Sequence, residues 1–501
     1  MIKKHFRLVI YLSLYFLIIA FKLIINPTPF FDWDESINAQ VSREMIENKS
    51  LVPLWQGSVW LDKPPLPFLF FGVIMKLTPF ISPEISLRIT SLLLSIISLL
   101  FVYSIFYKAT KDKLISLLTV IITSFIPIFL QRSQILNLDV FLLIGWLGYL
   151  LFVQNFWLGL LFLAVSVLTK SLIGFYPVII LIIYHVVLLW KNKMSQGSNI
   201  SKLSRKYIRT AAIQIIILLV WYIIMLLSFK TQFWQQHIIE THFRRVTASI
   251  EYHFGQRTYY IDLMKEQLGL FFWPSAVGLL LAVVNLSKSL TKYSDRNKWL
   301  NTFFLLPWFM FLNITKTKIF WYLYPAIPQF AFLAVYPLTL FLSHSGKSRA
   351  ESRDATRIVV NKIFLYLISC IMLIYIFHRN FIKTNFFTTF YSKPEDYYHL
   401  ALYAKDKCDS LHVLVGKETR EANKTLEDLG LTITSTTQWG DHPSIVYYFG
   451  KKVNFIYDDK FKLKYSDDCL VLRRDDLNTS HKNKNLRLIK SLNSYHLFKK
   501  N

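Results

Sequence analysis

Long apolar segments recur along most of the chain, and short polar stretches separate them. Runs of about 17–23 residues, the length that crosses a bilayer core, cover 8–25, 86–107, 114–131, 137–153, 155–170, 172–190, 208–229, 267–286, 298–314, 319–341 and 361–378. Backbone groups in lipid must satisfy their own hydrogen bonds, which helices achieve. The pattern predicts a polytopic α-helical membrane protein, with about 11–13 transmembrane helices over residues 1–380.

The apolar run 66–80 decides the predicted orientation, because every later loop changes side if this run crosses the membrane. It is short, contains Lys76 and is bounded by prolines. The loop 191–209 carries six Lys/Arg and no acidic residue, and cytoplasmic loops collect such residues. That loop is cytoplasmic only if 66–80 does not cross the membrane. We therefore expect an interfacial or re-entrant segment there, and a first span, 8–25, that is retained and starts in the cytoplasm.

The first polar stretch, 26–85, contains FFDWDESINAQVSREM (30–45) and WLDKPPLPF (60–68). An apolar residue recurs every fourth position at Trp33, Ile37, Val41 and Met45. This spacing predicts an amphipathic helix that lies flat on the membrane. Asn38, Ser42 and Arg43 point away from the stripe, and Asp32 or Asp34 is expected to cap the N-terminus of the helix.

The C-terminal segment, 381–501, is more charged than the rest of the chain and is predicted to form a small extracytoplasmic α/β domain. Its expected strands are 411–415, 431–436, 444–449, 453–457 and 469–474, with a helix near 394–407. Residues 481–490 are expected to form a flexible basic tail or a contact with anionic lipid. Cys408 and Cys469 can pair if this domain faces an oxidising compartment.

Composition narrows the functional class only slightly. Hydrophobic residues make up 53% of the 501 residues, and the formal net charge is +26. Because the charge follows from basic cytoplasmic loops, we expect membrane lipids and no nucleic acid as partners.

The predicted orientation gathers charged residues from several loops on one, extracytoplasmic side. They are Asp34, Glu35, Lys63, Arg132, Asp139 and Lys170, the loop 230–266 and the segment 315–318. Two of these loops are very short, and a short apolar connection needs no charge. We interpret the set as one site for a charged, lipid-borne substrate.

Five motifs in this order resemble the GT-C type glycosyltransferases, in particular the bacterial branch of aminoarabinose transferase and protein O-mannosyltransferase-like enzymes. They are WDESINAQVSREM with DKPPLPF, QRSQILNLDVFL (131–142), LTKSLIGFYP (168–177), THFRRV with EYHFGQRTYY (241–260), and TKIFWYLYPAIP (317–328). The resemblance covers most of the membrane part. The sequence departs from the family pattern at Ser171, where glycine is usual, and at Ile37, where the aminoarabinose branch usually has arginine.

The resemblance implies a sugar donor on a polyprenyl (undecaprenyl) phosphate and an acceptor that is lipid A, an envelope glycan or a protein. Asp34 would align or deprotonate the acceptor hydroxyl, with Glu35 and Asp139 as further catalytic candidates. Cations are needed around the leaving phosphate, and the candidates for binding the donor are Lys63, Arg244, Arg245, Lys318, Tyr322, Lys170 and His253. One direct displacement predicts inversion at the anomeric carbon.

Three further interpretations remain beside this one. Asp62 with His242 or His253 is a candidate pair for a divalent cation, although no cofactor is otherwise indicated. Asp139 and Lys170 can shape the site as an ion pair. A transporter or lipid flippase is the competing function, but it should have ionisable residues near mid-bilayer and internal repeats. The charges here lie at the ends of the predicted spans, so the sequence favours a glycosyltransferase of the bacterial cytoplasmic (inner) membrane.

Overall fold

The protein is mostly helical and folds into two compact units. A computed structural model describes residues 5–193, 198–249, 253–289, 296–342, 352–387, 392–431, 438–458, 467–476 and 486–500. The first unit consists of the described residues within 1–25, 88–222 and 256–390, and the second of those within 26–87, 223–255 and 391–501. The predicted division near residue 380 stays a prediction.

The α-helices alternate with short irregular connections. They begin with α1 (Phe6–Ile25), α2 (Asp34–Glu47), α3 (Leu66–Leu77), α4 (Pro83–Thr110), α5 (Lys113–Phe125), α6 (Pro127–Arg132), α7 (Asp139–Phe152), α8 (Phe156–Lys170), α9 (Tyr176–Lys193) and α10 (Ser198–Phe233). They continue with α11 (Arg245–Thr247), α12 (Tyr259–Leu268), α13 (Phe272–Ser289), α14 (Arg296–Phe303), α15 (Leu306–Ile314), α16 (Ile327–Val335), α17 (Thr339–Leu342), α18 (Ser352–Phe377), α19 (Asp396–Lys405), α20 (Lys417–Asp428) and α21 (Ser444–Phe449).

Seven helical segments of the described chain are long and apolar enough to cross a membrane. They are Phe6–Ile25, Pro83–Thr110, Phe156–Trp190, Ser201–Thr247, Tyr259–Leu286, Phe320–Phe341 and Ile363–Lys383. Two of the predicted runs, 155–170 and 172–190, fall within one of these segments. The run 66–80 contains α3, whose 12 residues are fewer than the roughly 20 that a spanning helix needs. The chain is thus a multi-pass membrane protein, and the exact number of spans stays a prediction.

The first unit packs around aromatic side chains that the spanning helices bury. Trp146 of α7 lies against Tyr176 and Trp308, with ring centroids 4.3 and 5.2 Å apart. Phe106 of α4 stacks on Phe332 of α16 at 4.0 Å. These contacts join the buried sides of the helices. Some of the same helices, α4 and α15 among them, also carry exposed apolar side chains.

Helix α2 of the second unit confirms the predicted helix but corrects its surroundings. Ile37, Val41 and Met45 are buried as the stripe requires, yet Asn38 and Ser42 are buried as well. Since α2 packs against α3, strand β1 (Leu54–Trp55) and α21, protein covers it on several sides. The expectation of one exposed polar face was therefore wrong, and the orientation of α2 along a membrane stays a prediction.

The predicted side-chain cap of α2 was also wrong. Its N-cap residue is Trp33, and no side chain makes a capping hydrogen bond there. Glu35 instead holds the residues that precede the helix, because its Oε2 accepts a hydrogen bond of 2.8 Å from the amide of Phe31. Asp34 lies in the first turn, where a carboxylate is favoured by the helix dipole.

The C-terminal part of the second unit is α/β, as expected. Its five strands are β3 (Ser410–Leu414), β4 (Val453–Ile456), β5 (Asp468–Arg473), β6 (Leu486–Ser491) and β7 (Tyr495–Lys500), in the sheet order β4-β3-β5-β7-β6. Strands β4, β3 and β5 run parallel, while β7 pairs antiparallel with β5 and β6. The short strand β2 (Ser58–Val59) pairs with β1 in the first loop.

Two expectations about this domain change, and a third is not tested. The run 444–449 is the buried helix α21 and not a strand. Residues 486–490 form most of β6, so this part of the expected flexible tail is a sheet strand. The expected strand 431–436 lies almost entirely outside the described residues.

A disulfide joins Cys408, which follows α19, to Cys469 of β5. It ties the start of β3 to the neighbouring parallel strand. Cys370, in α18, is a free thiol.

Candidate active site

The residues predicted to share one site divide between the two units. The second unit contains Asp34, Glu35, Asp62, Lys63, His242, Arg244, Arg245 and His253. The first unit contains Asp139, Lys170, Lys318 and Tyr322.

Two adjacent carboxylates at the start of α2 have different environments. Asp34 is exposed, whereas Glu35 is only 1% exposed and holds the preceding turn through the Phe31 amide. A carboxylate that is exposed at a helix N-terminus can meet an incoming hydroxyl. Glu35 is placed to hold Asp34 in its turn, and its predicted catalytic role stays a prediction.

Asp62 is the centre of a charged cluster in the same unit. Its carboxylate forms an ion pair with Lys63 and accepts a hydrogen bond of 2.5 Å from the Thr241 hydroxyl. Burial alone would raise the pKa of the Asp62 carboxyl. The charges of Lys63 and Arg245, with the hydrogen bonds from Lys63 and Thr241, outweigh burial and hold this pKa below its usual range. Asp62 is therefore a permanent anion that organises two cations.

A π-helix, Trp234–Arg244, carries the residues that approach Asp62. Its wider turns place His237 and Thr241 beside the loop that follows β2. The Nδ1–H of His237 donates to the Leu61 carbonyl at 2.7 Å, which ties this helix to the residue before Asp62. π-helices are rare and occur often at functional sites.

The remaining cluster residues follow from the same helix. His242 lies beside His237, with ring centroids 5.6 Å apart. Arg244 ends the π-helix, and His253 lies in the irregular segment before α12. Within the described residues there is no group of three or more His, Cys, Asp or Glu side chains that could hold a metal ion. The candidate metal pair of Asp62 and His242 thus has no third ligand of these types in that part of the chain.

In the first unit, Asp139 and Lys170 form the ion pair that the sequence suggested. Asp139 begins α7 and Lys170 ends α8, so each charge lies at the helix end whose dipole favours it. The Lys170 ammonium also lies 5.2 Å from the centre of the Tyr322 ring. This pair joins the ends of an antiparallel helix hairpin.

Lys318 has a structural environment of its own. It is 5% exposed, and its ammonium donates to the carbonyls of Leu312 and Asn313 at 3.2 and 3.3 Å. Burial lowers the pKa of Lys318. Through its two hydrogen bonds, Lys318 caps the C-terminal end of α15. Its predicted contact with the donor stays a prediction.

Sequence reasoning did not single out Thr241 or His442. Thr241 is the first residue of the motif THFRRV. Helical spacing alone does not show that a π-helix places its hydroxyl beside Asp62. His442 contacts Asp32 from more than 400 positions away, and no local pattern reports such a contact.

Comparison with known proteins identifies the class. Residues 14–237 match the family of dolichyl-phosphate-mannose-protein mannosyltransferases. No curated protein matches the sequence of this chain.

Solved structures share the fold over nearly the whole chain. ArnT from Cupriavidus metallidurans bound to undecaprenyl phosphate is similar at a TM-score of 0.65 and 13% identity, over 98% of this chain and 97% of that one. The oligosaccharyltransferase AglB from Archaeoglobus fulgidus, in complex with an inhibitory peptide and a dolichol-phosphate, is similar at a TM-score of 0.51 and 14% identity, over 88% of this chain and 61% of that one. At such identities the likeness shows the fold.

These matches confirm the fold class, and they agree with the family resemblance and the enzyme class that the motifs predicted. The chain is a multi-pass membrane protein with the GT-C fold, and its residues 14–237 are similar to the dolichyl-phosphate-mannose-protein mannosyltransferase family.

Proposed function

We propose that the protein transfers one sugar from a polyprenyl phosphate, such as undecaprenyl phosphate, to a hydroxyl at the extracytoplasmic face of the cytoplasmic membrane. The family match and the bound lipid phosphates of ArnT and AglB support this donor class. The observation that carries the proposal is the second unit itself, which holds both an exposed carboxylate, Asp34, and the cations organised by Asp62.

The transfer is a single displacement in this proposal. The acceptor oxygen bonds to the anomeric carbon while the bond from that carbon to the phosphate oxygen breaks, and Asp34 takes the hydroxyl proton. The phosphate leaves with the bonding electrons and gains charge. Lys63, Arg244 and Arg245 stabilise that charge, because cations stabilise most where charge develops. The anomeric configuration inverts.

The other candidates have supporting roles. Asp62 keeps Lys63 and Arg245 oriented through its ion pair and its electrostatic field. Asp139 and Lys170 join the ends of α7 and α8 through their ion pair, and Lys318 caps α15. His253 assists the donor phosphate. No step is assigned to a metal ion.

The disulfide supports the proposed orientation. Disulfides persist in oxidising compartments, so the bond between Cys408 and Cys469 favours an extracytoplasmic C-terminal domain. Since that domain belongs to the same unit as Asp34 and Lys63, the reaction belongs on that side too. The acceptor is then a molecule exposed there: lipid A, an envelope glycan or a protein hydroxyl.

The decisive experiment compares envelope lipids, glycans and proteins by mass spectrometry. Cells lacking the protein are complemented with wild type, Asp34→Asn or Glu47→Gln. Glu47 is the matched control because it is an exposed carboxylate at the other end of α2. We expect a sugar-sized mass that wild type and Glu47→Gln restore and Asp34→Asn does not.

Purified enzymes then give the magnitude. Loss of a general base lowers kcat by about 10²–10⁴-fold, so Asp34→Asn should fall in that range while Glu47→Gln stays near wild type. Wild-type transfer by purified Asp34→Asn would remove Asp34 from the mechanism.

A further inference from the structure

Asp32 is the meeting point of the first loop and the C-terminal domain within the second unit. Its Oδ1 accepts hydrogen bonds from the amide and the hydroxyl of Ser444, at 3.1 and 2.6 Å. Its Oδ2 lies 2.7 Å from Nδ1 of His442. The carboxylate expected to cap α2 therefore binds residues at the start of α21 instead.

His442 is held in one orientation from three sides. Nδ1 must carry the proton, because its partner is a carboxylate that only accepts. Nε2 then accepts from the Tyr495 hydroxyl at 2.6 Å. The ring also stacks on Tyr397, with centroids 4.0 Å apart and an interplanar angle of 15°. A side chain fixed by two hydrogen bonds and a stacked ring positions its partner closely.

At its other side, His442 is bonded to a residue of the β-sheet. Tyr495 begins β7, where it pairs with Arg473 of β5, and it is 5% exposed. Burial raises the pKa of Tyr495 to about 12, so its hydroxyl remains a donor at neutral pH. The sheet thus holds Asp32 through Tyr495 and His442.

Local hydrogen bonds connect the backbone around Asp32 to that of Asp34, two residues later. The amide of Ser36 donates to the Phe31 carbonyl at 3.1 Å, and the Phe31 amide donates to Glu35. The Ser36 hydroxyl also donates to the Trp33 carbonyl at 3.1 Å. These bonds close residues 31–36 into a tight turn, so a shift of Asp32 must move Asp34.

We propose that His442 is a positioning residue for the transfer reaction, through which the C-terminal domain sets the place of Asp34 by holding Asp32. This inference rests on the proposed function, in which Asp34 receives the acceptor proton. The C-terminal domain is then required for turnover even if it never touches the donor.

The first test does not depend on activity and follows hydrogen exchange of the amides of residues 31–38 in the full-length protein. His442→Phe keeps the stacked ring and loses both hydrogen bonds. A hydrogen bond to a charged group is worth about tenfold or more in an equilibrium, so exchange in this turn should accelerate about tenfold. His442→Asn places an amide donor near the position of Nδ1 and should return exchange to within about threefold of wild type.

The matched control is His399→Phe, an exposed histidine of the same domain. It should leave exchange of residues 31–38 unchanged. Equal exchange in wild type and folded His442→Phe would overturn the inference. If His442→Phe does not fold, Ser444→Ala replaces it, because it removes the 2.6 Å bond to Asp32 and leaves the ring stack; unchanged exchange in that variant is equally contrary.

The second test separates positioning from binding by steady-state kinetics. His442→Phe should lower kcat at least tenfold with less than a twofold change in KM for the donor, and His442→Asn should recover much of that loss. An unchanged kcat, or a loss that appears only in KM, contradicts a positioning role. Wild type that transfers no sugar would instead count against the proposed function, while the exchange result still decides whether His442 holds this turn.

Discussion

Ser171 at the end of α8 shows how a single backbone angle constrains a residue. Its φ is +54°, a region that favours glycine, and the family motif usually has glycine there. The side chain is 1% exposed, and its hydroxyl lies 2.8 Å from that of Tyr222. The hydroxyl contact offsets part of the strain that the Cβ atom creates.

Replacement of Ser171 should separate the strain from the hydrogen bond. Ser171→Ala and Ser171→Gly both lose the hydroxyl, but only glycine relieves the positive φ. We expect Ser171→Gly to be more stable than Ser171→Ala by about 1 kcal/mol. Thermal unfolding in detergent measures the difference, and an equal or lower midpoint for the glycine variant contradicts the strain.

At this scale the sequence predicted one ion pair correctly and missed the partners of other charged residues. Asp139 and Lys170 were paired correctly because a short helix hairpin brings the ends of its helices together. Asp32 was misassigned as a cap, since its partners, His442 and Ser444, are distant in sequence. The sequence did not predict that Lys318 donates to carbonyls of α15, and its expected contact with the donor phosphate stays a prediction.

Helices α2 and α3 approach each other through Gly72. A Cβ atom at this position would lie 2.4 Å from the Ser42 carbonyl oxygen and 2.4 Å from Cγ1 of Ile46. Backbone cannot yield to such an approach without moving the helices apart. Gly72 therefore sets the distance between the helix that carries Asp34 and the one that follows Lys63.

Gly72→Ala should destabilise this helix pair by about 1–3 kcal/mol and lower transfer activity. Val73→Ala, on the exposed side of the same helix, serves as the control and should stay within about 0.5 kcal/mol. Unfolding midpoints and kcat of both variants are compared with wild type. A Gly72→Ala variant as stable as Val73→Ala would show that α3 can move away freely.

Element types were predicted well where the residue period was clear. The stripe of α2 and the strands near 411–415, 453–457 and 469–474 were confirmed. The run SIVYYF was wrong because a short, fully buried apolar run fits a strand and a helix equally. Gly450, with a φ of +72°, ends α21 as glycine commonly ends helices. A glycine directly after the apolar run is thus the sequence signal that favours a helix over a strand here.

At the scale of the whole molecule, the sequence predicted the class of protein, and its predicted division near residue 380 stays a prediction. Apolar runs and ordered motifs report a GT-C membrane glycosyltransferase without any tertiary information. The second unit joins three distant stretches, and contacts such as that of Val453 with Gln56 have no trace in local spacing. Which stretches of the chain form this unit is therefore known only from the structure.

The disulfide closes a loop with a sequence separation of 61 residues. Loss of such a loop closure destabilises by about 4 kcal/mol in the chain-entropy model. We expect the Cys408→Ser/Cys469→Ser protein to unfold at a lower midpoint, with no further effect of reductant, whereas reductant lowers the wild-type midpoint. Cys370→Ser is the control and should behave as wild type. Three free thiols in untreated wild type instead of one, detected by mass spectrometry, would exclude the bond.

The discontinuous second unit also dictates an order of events during biosynthesis. Residues 26–87 emerge early and residues 223–255 of the same unit follow, but the last segment of the unit begins only at residue 391, about 300 residues after the first. At about 5–20 residues per second, the ribosome needs about 15–60 s to reach it. During that interval Asp32 awaits His442 and Ser444, its partners in the C-terminal domain. A message truncated before residue 391 therefore yields a chain that contains the seven described apolar segments but in which Asp32 lacks these partners.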